Sequence, residues 1–355
     1  MTIAQVPSFS GRLGYMKRAT IRDVAQACGV AKSTVSAVLN NSPGSQRVAE
    51  PTRQRVRLIA EQLGYRPSWR GRALAGQRTH VIGVLYTPPM PLIARGNYEG
   101  ILSGINDVLQ VRGYHLMLMP LGQNPLEWRA MLMDGRMDGA IVLSRLLPQL
   151  AEIIAEVKLP ISLVNAETDA DVARVVADDY QGARELTEYL LSLGHERIAF
   201  LLGDQPPHYS VDQRKGGYQD VMRAAGLSGE IRIQTAGDAV DFGAAFAVEP
   251  PDRRPTAVLC YTHYLAIKLL QVLWERQIQV PRDLSVACFS NAYPVADVIP
   301  PLTTVALATE QMGRTAAELV LEQIESKGMT PRRRLALRTQ LIVRKSTAAP
   351  GRSTS

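Results

Sequence analysis

From Val81 onward, short apolar runs alternate with amphipathic segments, and the alternation restarts about halfway along the chain. Val81–Leu85, His115–Met119, Gly139–Leu143 and Ile161–Val164 read as strands of a first series. Arg197–Leu202, Ile231–Ile233, Ala257–Cys260 and Leu284–Phe289 read as strands of a second. Helical spacing fills Gly100–Arg112 and Leu150–Val157 in the first series, and Tyr180–Leu193, Arg214–Ala225 and Tyr264–Gln277 in the second. Two successive βα series imply two parallel-sheet lobes, each wrapped by helices. Ligands of such sheets sit beyond the strand C-terminal ends, which here face each other across the cleft between the lobes.

The segment before Val81 has a different texture. Ala19–Asn40 reads as two short helices hinged at Gly29. Val24, Ala25 and Cys28 form one apolar stripe and Val30, Val35, Val38 and Leu39 another, so the two can bury against each other and leave Lys32, Ser33 and Ser36 outward. Thr20 with Asp23 three residues on comes close to a capping box. A third helix fits Pro51–Leu63, with Pro51 early in it and Gly64 as its stop signal. Val56, Ile59, Ala60 and Leu63 would close the core. This is the pattern of a helix-turn-helix that lays its second helix in the DNA major groove, though a helix pair with polar tips also occurs where no nucleic acid is bound. Tyr65–Thr79 is basic and poor in large apolar residues, hence a linker or a helix that forms only against a partner.

Charge reinforces the DNA reading. Residues 1–79 hold 13 Lys and Arg against three acidic residues, a local +10, while the remainder holds 27 against 30, a local −3. A basic head on a mildly acidic body suits phosphate neutralisation and steep salt dependence; the alternative is a solvated surface.

At 355 residues the chain exceeds one small core, and its 46% hydrophobic content argues against disorder. No run approaches the roughly 18 apolar residues of a membrane span. Met1–Tyr15 lacks the basic-then-apolar order of a secretory signal. Cys28, Cys260 and Cys288 are far apart, odd in number and in apolar contexts, so they read as reduced core residues of a cytoplasmic protein without metal-ligand spacing. Gly-x-Ser-x-Gly, the phosphate-binding Gly-x-x-x-x-Gly-Lys-Ser/Thr, His-Glu-x-x-His and paired Cys-x-x-Cys are missing, and the five histidines are scattered. These observations point to a binding protein with neither enzymatic activity nor a cofactor.

Across about Ala19 to Thr347 the chain resembles the lactose/galactose repressor (LacI/GalR) family. The resemblance rests on Thr20-Ile-Arg-Asp-Val-Ala25, Thr34-Val-Ser36 with Val38-Leu-Asn40, and Leu63-Gly-Tyr-Arg-Pro67. It continues through Ile82-Gly-Val84, Met137-Asp-Gly139, Gly194-His-Glu-Arg-Ile-Ala199 and Val280-Pro-Arg-Asp-Leu-Ser-Val286 to Pro301-Leu-Thr-Thr304 and Met312-Gly313. It implies an all-α helix-turn-helix headpiece, a hinge helix ordered on DNA, and an α/β two-lobed periplasmic-binding-protein-like (type I) core with parallel sheets that dimerises and binds a small effector. The expected division is a disordered tail at 1–17, the DNA-binding domain at 18–66, the hinge at 67–79, the core at 80–347 and a tail at 348–355. Three crossings between lobes would give 80–176 and 305–330 to one lobe, and 177–304 and 331–347 to the other.

The resemblance also implies site residues. Lys32 and Ser33, at the start of the second helix, would read base edges. A Lys can donate to guanine O6 or N7; the alternative for Lys32 is a phosphate contact. Thr20, Thr34, Ser36 and Asn40 would bond the backbone and set register. Ala37 stands where the family often has Arg, so a guanine contact is lost there. Ala31 replaces a Ser that usually caps the helix, at a cost of about 1 kcal/mol. In the hinge, Arg72, Leu74 and Ala75 match, Leu74 as an apolar wedge between base pairs; the alternative is a passive linker leucine. Two heads on a two-fold dimer predict a pseudopalindromic double-stranded operator. The tail Ser346–Ser355 has no leucine heptads, which favours a dimer over a tetramer.

For the effector, Arg214 in Arg214-Lys-Gly-Gly-Tyr218 matches the family's binding arginine, whose fork can hold vicinal hydroxyls or a carboxylate. Elsewhere the pocket departs from the sugar-binding pattern: Thr262-His263 replaces Asn-Asp, Ser290-Asn291 replaces an Asp pair, and Asn165-Ala166 stands for Asp-Arg or Asn-Arg. Asp178-Asp179 stays near the usual Asp-Asn. Loss of carboxylates around an Arg favours an anionic ligand (a sugar acid or phosphorylated sugar) or a less polar one over a neutral sugar.

Overall fold

The computed structural model describes residues 19–40, 43–65, 78–88, 97–143, 146–205, 207–235, 237–326 and 333–351. The chain divides into two compact units, residues 1–79 and 80–355.

In the first unit, α1 (Ile21–Cys28), α2 (Lys32–Leu39) and α3 (Glu50–Gln62) enclose a small core, with a 3₁₀ turn at Pro43–Arg47 leading into α3. The backbone N–H of Thr20 donates to Asp23 Oδ2 at 2.7 Å, closing the start of α1. Gly29 ends α1 in the left-handed region at φ +63°, which a residue with a Cβ adopts only at a cost. Val24, Val35 and Val56, one from each helix, are completely buried and meet in the centre. Leu63, expected to close this core, is 42% exposed. α3 has stopped at Gln62, and the chain turns at Gly64 to bring Tyr65 against the core instead.

The second unit holds two six-stranded sheets. The first contains β1 (Val81–Tyr86), β2 (His115–Pro120), β3 (Gly139–Leu143), β4 (Ile161–Val164), β5 (Ala173–Ala177) and β11 (Arg334–Leu337), in the order β11-β5-β4-β3-β1-β2 and all parallel. The second contains β6 (Ile198–Leu201), β7 (Arg232–Gln234), β8 (Ala257–Cys260), β9 (Ser285–Phe289), β10 (Thr303–Ala306) and β12 (Gln340–Ile342), in the order β12-β10-β9-β8-β6-β7. Only β12 runs antiparallel to its neighbour.

Around the first sheet lie α4 (Asn97–Val111), α5 (Pro125–Met133), α6 (Pro148–Glu156) and α11 (Thr309–Glu325); around the second lie α7 (Asp179–Ser192), α8 (Tyr209–Ala224), α9 (Ala239–Val248) and α10 (His263–Glu275). Each sheet is covered on both faces, by one pair of apolar clusters in the first lobe and a second pair in the other. α4 and α11 approach at backbone contact: a Cβ on Gly313 would lie 2.0 Å from the Ile101 carbonyl oxygen, and one on Gly104 2.0 Å from that of Glu310. The chain passes between lobes after β5, after β10 and between β11 and β12.

Segment 331–347 was expected wholly in the second lobe, but β11 pairs in parallel with β5 of the first sheet and only β12 joins the second. The backbone N–H of Asp178 donates to the Leu337 carbonyl at 2.8 Å, so β11 is fastened where the chain first leaves that sheet. β5 itself escaped the sequence pattern because Arg174 interrupts its apolar run. That side chain is tied down by Glu167 at 2.6 Å and by the Thr168 carbonyl. Cys28, Cys260 and Cys288 are free and buried, the last two opposite each other on β8 and β9. Burial pushes the Cys288 thiol up to about 12 and Cys260 well upward, which leaves both protonated and unreactive.

Candidate DNA-reading helix and effector cleft

In the head, α2 starts at Ala31 without a side-chain cap, and Lys32 and Ser33 stand exposed at its first turn. Val35 and Val38 fasten the opposite side in the core. Thr34, Ser36 and Ala37 are half-buried, and Asn40 Nδ2 donates to Ser36 Oγ at 3.2 Å. The Thr20 hydroxyl donates to Asp23 Oδ2 at 2.8 Å, so its first role is to shape α1. Arg22, Arg47, Arg55 and Arg57 are exposed around these helices, giving the head the positive field that a polyanion requires. Arg72, Leu74 and Ala75 lie outside the described residues.

In the second unit, the C-terminal ends of the strands gather a second set of side chains. Arg214 sits one turn into α8 and reaches back to α7, where its Nε donates to Asp179 Oδ1 at 2.7 Å and its Nη2 lies 2.6 Å from the same oxygen. Its Nη1 donates to the carbonyl of Tyr261, the residue that follows β8, at 2.6 Å. The guanidinium carbon lies 4.7 Å from the Tyr261 ring centroid and 4.1 Å from that of Phe289, at the end of β9. His263 opens α10, is 1% exposed, and has no hydrogen-bond partner on either ring nitrogen among the described residues. Burial, and then the nearby Arg214 charge, pull its pKa down to about 4, so it is neutral at pH 7.

The loop after β4 brings in Asn165 from the first lobe. The Tyr209 hydroxyl donates to Asn165 Oδ1 at 3.1 Å, and His208 Nε2 lies 3.0 Å from the Asn165 carbonyl oxygen. Ser210 Oγ is within 2.7 Å of the Tyr261 hydroxyl, which extends this network to Arg214. Burial drives the Tyr209 hydroxyl's pKa far up, helped by the Asp179 carboxylate, and pulls that of His208 down. Asn165 and Ser290 hold left-handed backbones, φ +57° and +81°, unusual for residues with a Cβ. Strain of this kind concentrates where structure serves a site.

The expected effector residues thus separate. Arg214 and His263 converge, and Ser290 is buried directly after Phe289. Asp178 is occupied as the N-cap of α7, accepting from Gln181 N at 3.0 Å, and Thr262 caps α10 by accepting from Leu265 N at 3.3 Å. Asn291 is exposed and accepts from Arg344 Nη2 at 2.6 Å, beside an open crevice of about 370 Å³ that also passes Leu307, Thr309 and Arg314. The expectation of an anionic ligand rested on fewer carboxylates around Arg214; the one retained beside it, Asp179, is paired with it. Tyr209, Tyr261 and Phe289 were not singled out in the sequence, and Asp179 was named only beside Asp178. The rule that ligands lie beyond strand C-termini would have nominated Tyr261 and Phe289, which directly follow or end β8 and β9.

A three-helix head with an exposed recognition helix, together with a two-sheet core of this topology, defines the class of DNA-binding transcriptional regulators with a ligand-binding core. Residues 20–68 match the family model for bacterial regulatory proteins of the lacI family, and residues 187–347 that for a periplasmic binding protein-like domain. The chain is 31% identical to the HTH-type transcriptional regulator CelR of Thermobifida fusca, over 93% of this chain and 98% of that protein. It is 30% identical to the HTH-type transcriptional repressor PurR of Vibrio atlanticus (strain LGP32), over 87% and 93%. Among solved structures, a transcriptional regulator CelR–cellobiose complex aligns with a TM-score of 0.66 at 29% identity, covering 93% of this chain and all of that one. The lac repressor dimer bound to operator and the anti-inducer ONPF shares the fold, with a TM-score of 0.76 at 22% identity over 94% of this chain and all of that one. The chain belongs to the lacI family of bacterial regulatory proteins. Among the described residues no helix is long and apolar enough to cross a membrane.

Proposed function

We propose that this protein acts as a homodimeric repressor in the cytoplasm, binding a pseudopalindromic operator, with DNA affinity set by a small sugar-like effector in the cleft between its lobes. The observation that carries this reading is the position of Lys32 and Ser33. They are exposed at the first turn of a helix whose other side is locked into the head by Val35 and Val38. Such a helix can enter a major groove with its N-terminal residues at base edges while the surrounding arginines neutralise phosphates. Thr34, Ser36, Ala37 and Asn40 then face the backbone or adjacent bases, and Arg72, Leu74 and Ala75, outside the described residues, complete the DNA contacts.

The effector site in this reading is built on Arg214, Asp179, His263, Tyr261 and Phe289, with Asn165 reaching across from the first lobe. Buried polar atoms lacking partners are costly unless a ligand or water completes them. His263 and the second oxygen of Asp179 are two such groups. A relative of known structure is a complex with cellobiose, which supports a polyhydroxyl compound as the effector. Closure of the lobes on that ligand would change the spacing of the two heads, and by linkage DNA would alter ligand affinity by the same factor.

The test is a gel shift with a pool of inverted-repeat duplexes at several salt concentrations, using the intact chain and a chain lacking residues 1–79. Binding by the intact chain that weakens with salt, and disappears with the head, is the expected result. No duplex preference by the intact chain, with or without sugars, would leave only a small-molecule receptor.

A further inference from the structure

Arg214 is a binding arginine that arrives already paired. Two of its five N–H donors are committed, one to Asp179 Oδ1 and one to the Tyr261 carbonyl, and Nη2 lies in ion-pair contact with the same Asp179 oxygen. The side chains of Arg214 and Asp179 are 7% and 1% exposed, so the pair is a buried, neutral unit and not a surface ion pair. Both contacts fall on one carboxylate oxygen. Asp179 Oδ2 is buried and has no partner among the described residues, and the two ring nitrogens of His263 are in the same condition. Arg214 also stacks against Tyr261 and Phe289, which fixes the plane of its fork.

Two consequences follow for any ligand. An anion would find the arginine neutralised and would meet an uncovered carboxylate oxygen in surroundings of low dielectric, where like charges repel strongly. An uncharged compound with O–H or N–H groups would instead satisfy Oδ2, and a neutral His263 offers it one donor and one acceptor.

We propose that Asp179 is the specificity-determining residue of the cleft: a resident counter-ion that keeps anionic ligands off Arg214 and selects uncharged ligands able to donate a hydrogen bond to its second carboxylate oxygen. The proposal rests on the reading of this cleft as the effector site. Asp179→Asn keeps the shape of the side chain but removes its charge, and so turns Arg214 into an open anion site.

The experiment titrates inorganic phosphate into full-length wild type, Asp179→Asn, and Asp179→Asn/Arg214→Met by calorimetry at constant ionic strength. The basic head contributes equally to all three and cancels in the comparison. Asp179→Asn is expected to bind phosphate at least about tenfold more tightly than wild type, a difference of about 1.4 kcal/mol, and the double variant to lose that gain. Arg214-dependent phosphate binding by wild type overturns the proposal, as does a folded Asp179→Asn with no gain. Asp179→Ser serves if the amide variant does not fold. If neither folds, wild type decides alone: phosphate binding abolished by Arg214→Met refutes the proposal, and its absence supports it. Effector sensing is read separately, from the effect of neutral sugars on DNA binding. A gain of phosphate binding in Asp179→Asn, with no sugar altering DNA affinity, keeps Asp179 as counter-ion and discards the effector reading.

Discussion

His208 and Asn165 join the two lobes directly. The N–H of Ser210 donates to His208 Nδ1 at 3.3 Å, so the ring proton resides on Nε2 and is donated to the Asn165 carbonyl oxygen at 3.0 Å. Asn165 presents that carbonyl from a left-handed backbone at φ +57°. The same residue accepts from Tyr209 through its side chain, so one loop of the first lobe is held at two points by the start of α8.

Removal of this link has a defined cost. In His208→Ala the Asn165 carbonyl and the Ser210 N–H both lose a partner, and each such loss in a buried site costs about 1–3 kcal/mol. The expected outcome is lower stability to urea together with a larger radius of gyration in small-angle scattering, as the lobes part. A variant as compact and as stable as wild type would show that the contact does not hold the cleft.

Gly217 sets the distance between the helices that carry Arg214 and Asp179. A Cβ there would lie 2.4 Å from the Tyr180 carbonyl oxygen and 2.9 Å from the Ala183 Cβ. Gly217→Ala must therefore push α8 away from α7, an overpacking that costs about 1–3 kcal/mol. Because Arg214 and Asp179 lie on opposite sides of that contact, ligand affinity in a thermal-shift titration should fall along with the melting temperature. Gly226→Ala, where nothing lies near but φ is +77°, should lower stability and leave ligand affinity unchanged.

His263 makes stability depend on pH. Its folded pKa is about 4 against an ordinary 6.5, so the unfolded chain takes up this proton first as pH falls. Stability is lost progressively between about pH 6.5 and 4, to a total of about 3 kcal/mol, and the effect levels off below that range. His195 and His208, also shifted downward by burial, add losses of the same sign. Denaturation of His263→Gln at pH 7 and at pH 4.5 should show a smaller drop than wild type; an equal drop would mean that His263 is not neutral in the fold.

Ala31 leaves the first turn of α2 without a side-chain acceptor. Ala31→Ser should stabilise the head by about 1 kcal/mol by capping the free N–H groups. Hydrogen exchange of amides in α1, α2 and α3 within the intact chain measures this, and should slow without any change in the amides of the core. No slowing would mean that the serine does not reach the helix N–H groups.

Much of the fold was legible as pattern. The stripes formed by Val24, Ala25 and Cys28 and by Val35 and Val38 are the faces that pack in the head, because 3.6-residue spacing leaves no other way to bury them. The strand runs from Val81 and from Arg197 onward became two sheets because continuous apolar runs must be covered on both faces. Elements with weak periodicity escaped: α5, α9, and β5 with Arg174 as its second residue. Leu63 was misjudged because apolarity does not say on which side of a helix end the chain turns.

The site was less legible. Arg214 and His263 could be named in advance, because both stand at positions that the family resemblance marks. Asp179 could not be preferred to its neighbour Asp178, since both are carboxylates at the start of one helix. Adjacent helical residues point about 100° apart, so one caps the α7 N-terminus and the other turns inward to Arg214. Local spacing thus determined which segments form helices and strands and where the positive charge collects. Only the tertiary structure decided which ion is paired, which lobe receives β11 and which buried atoms stay unsatisfied, because those depend on distances between residues far apart in the chain.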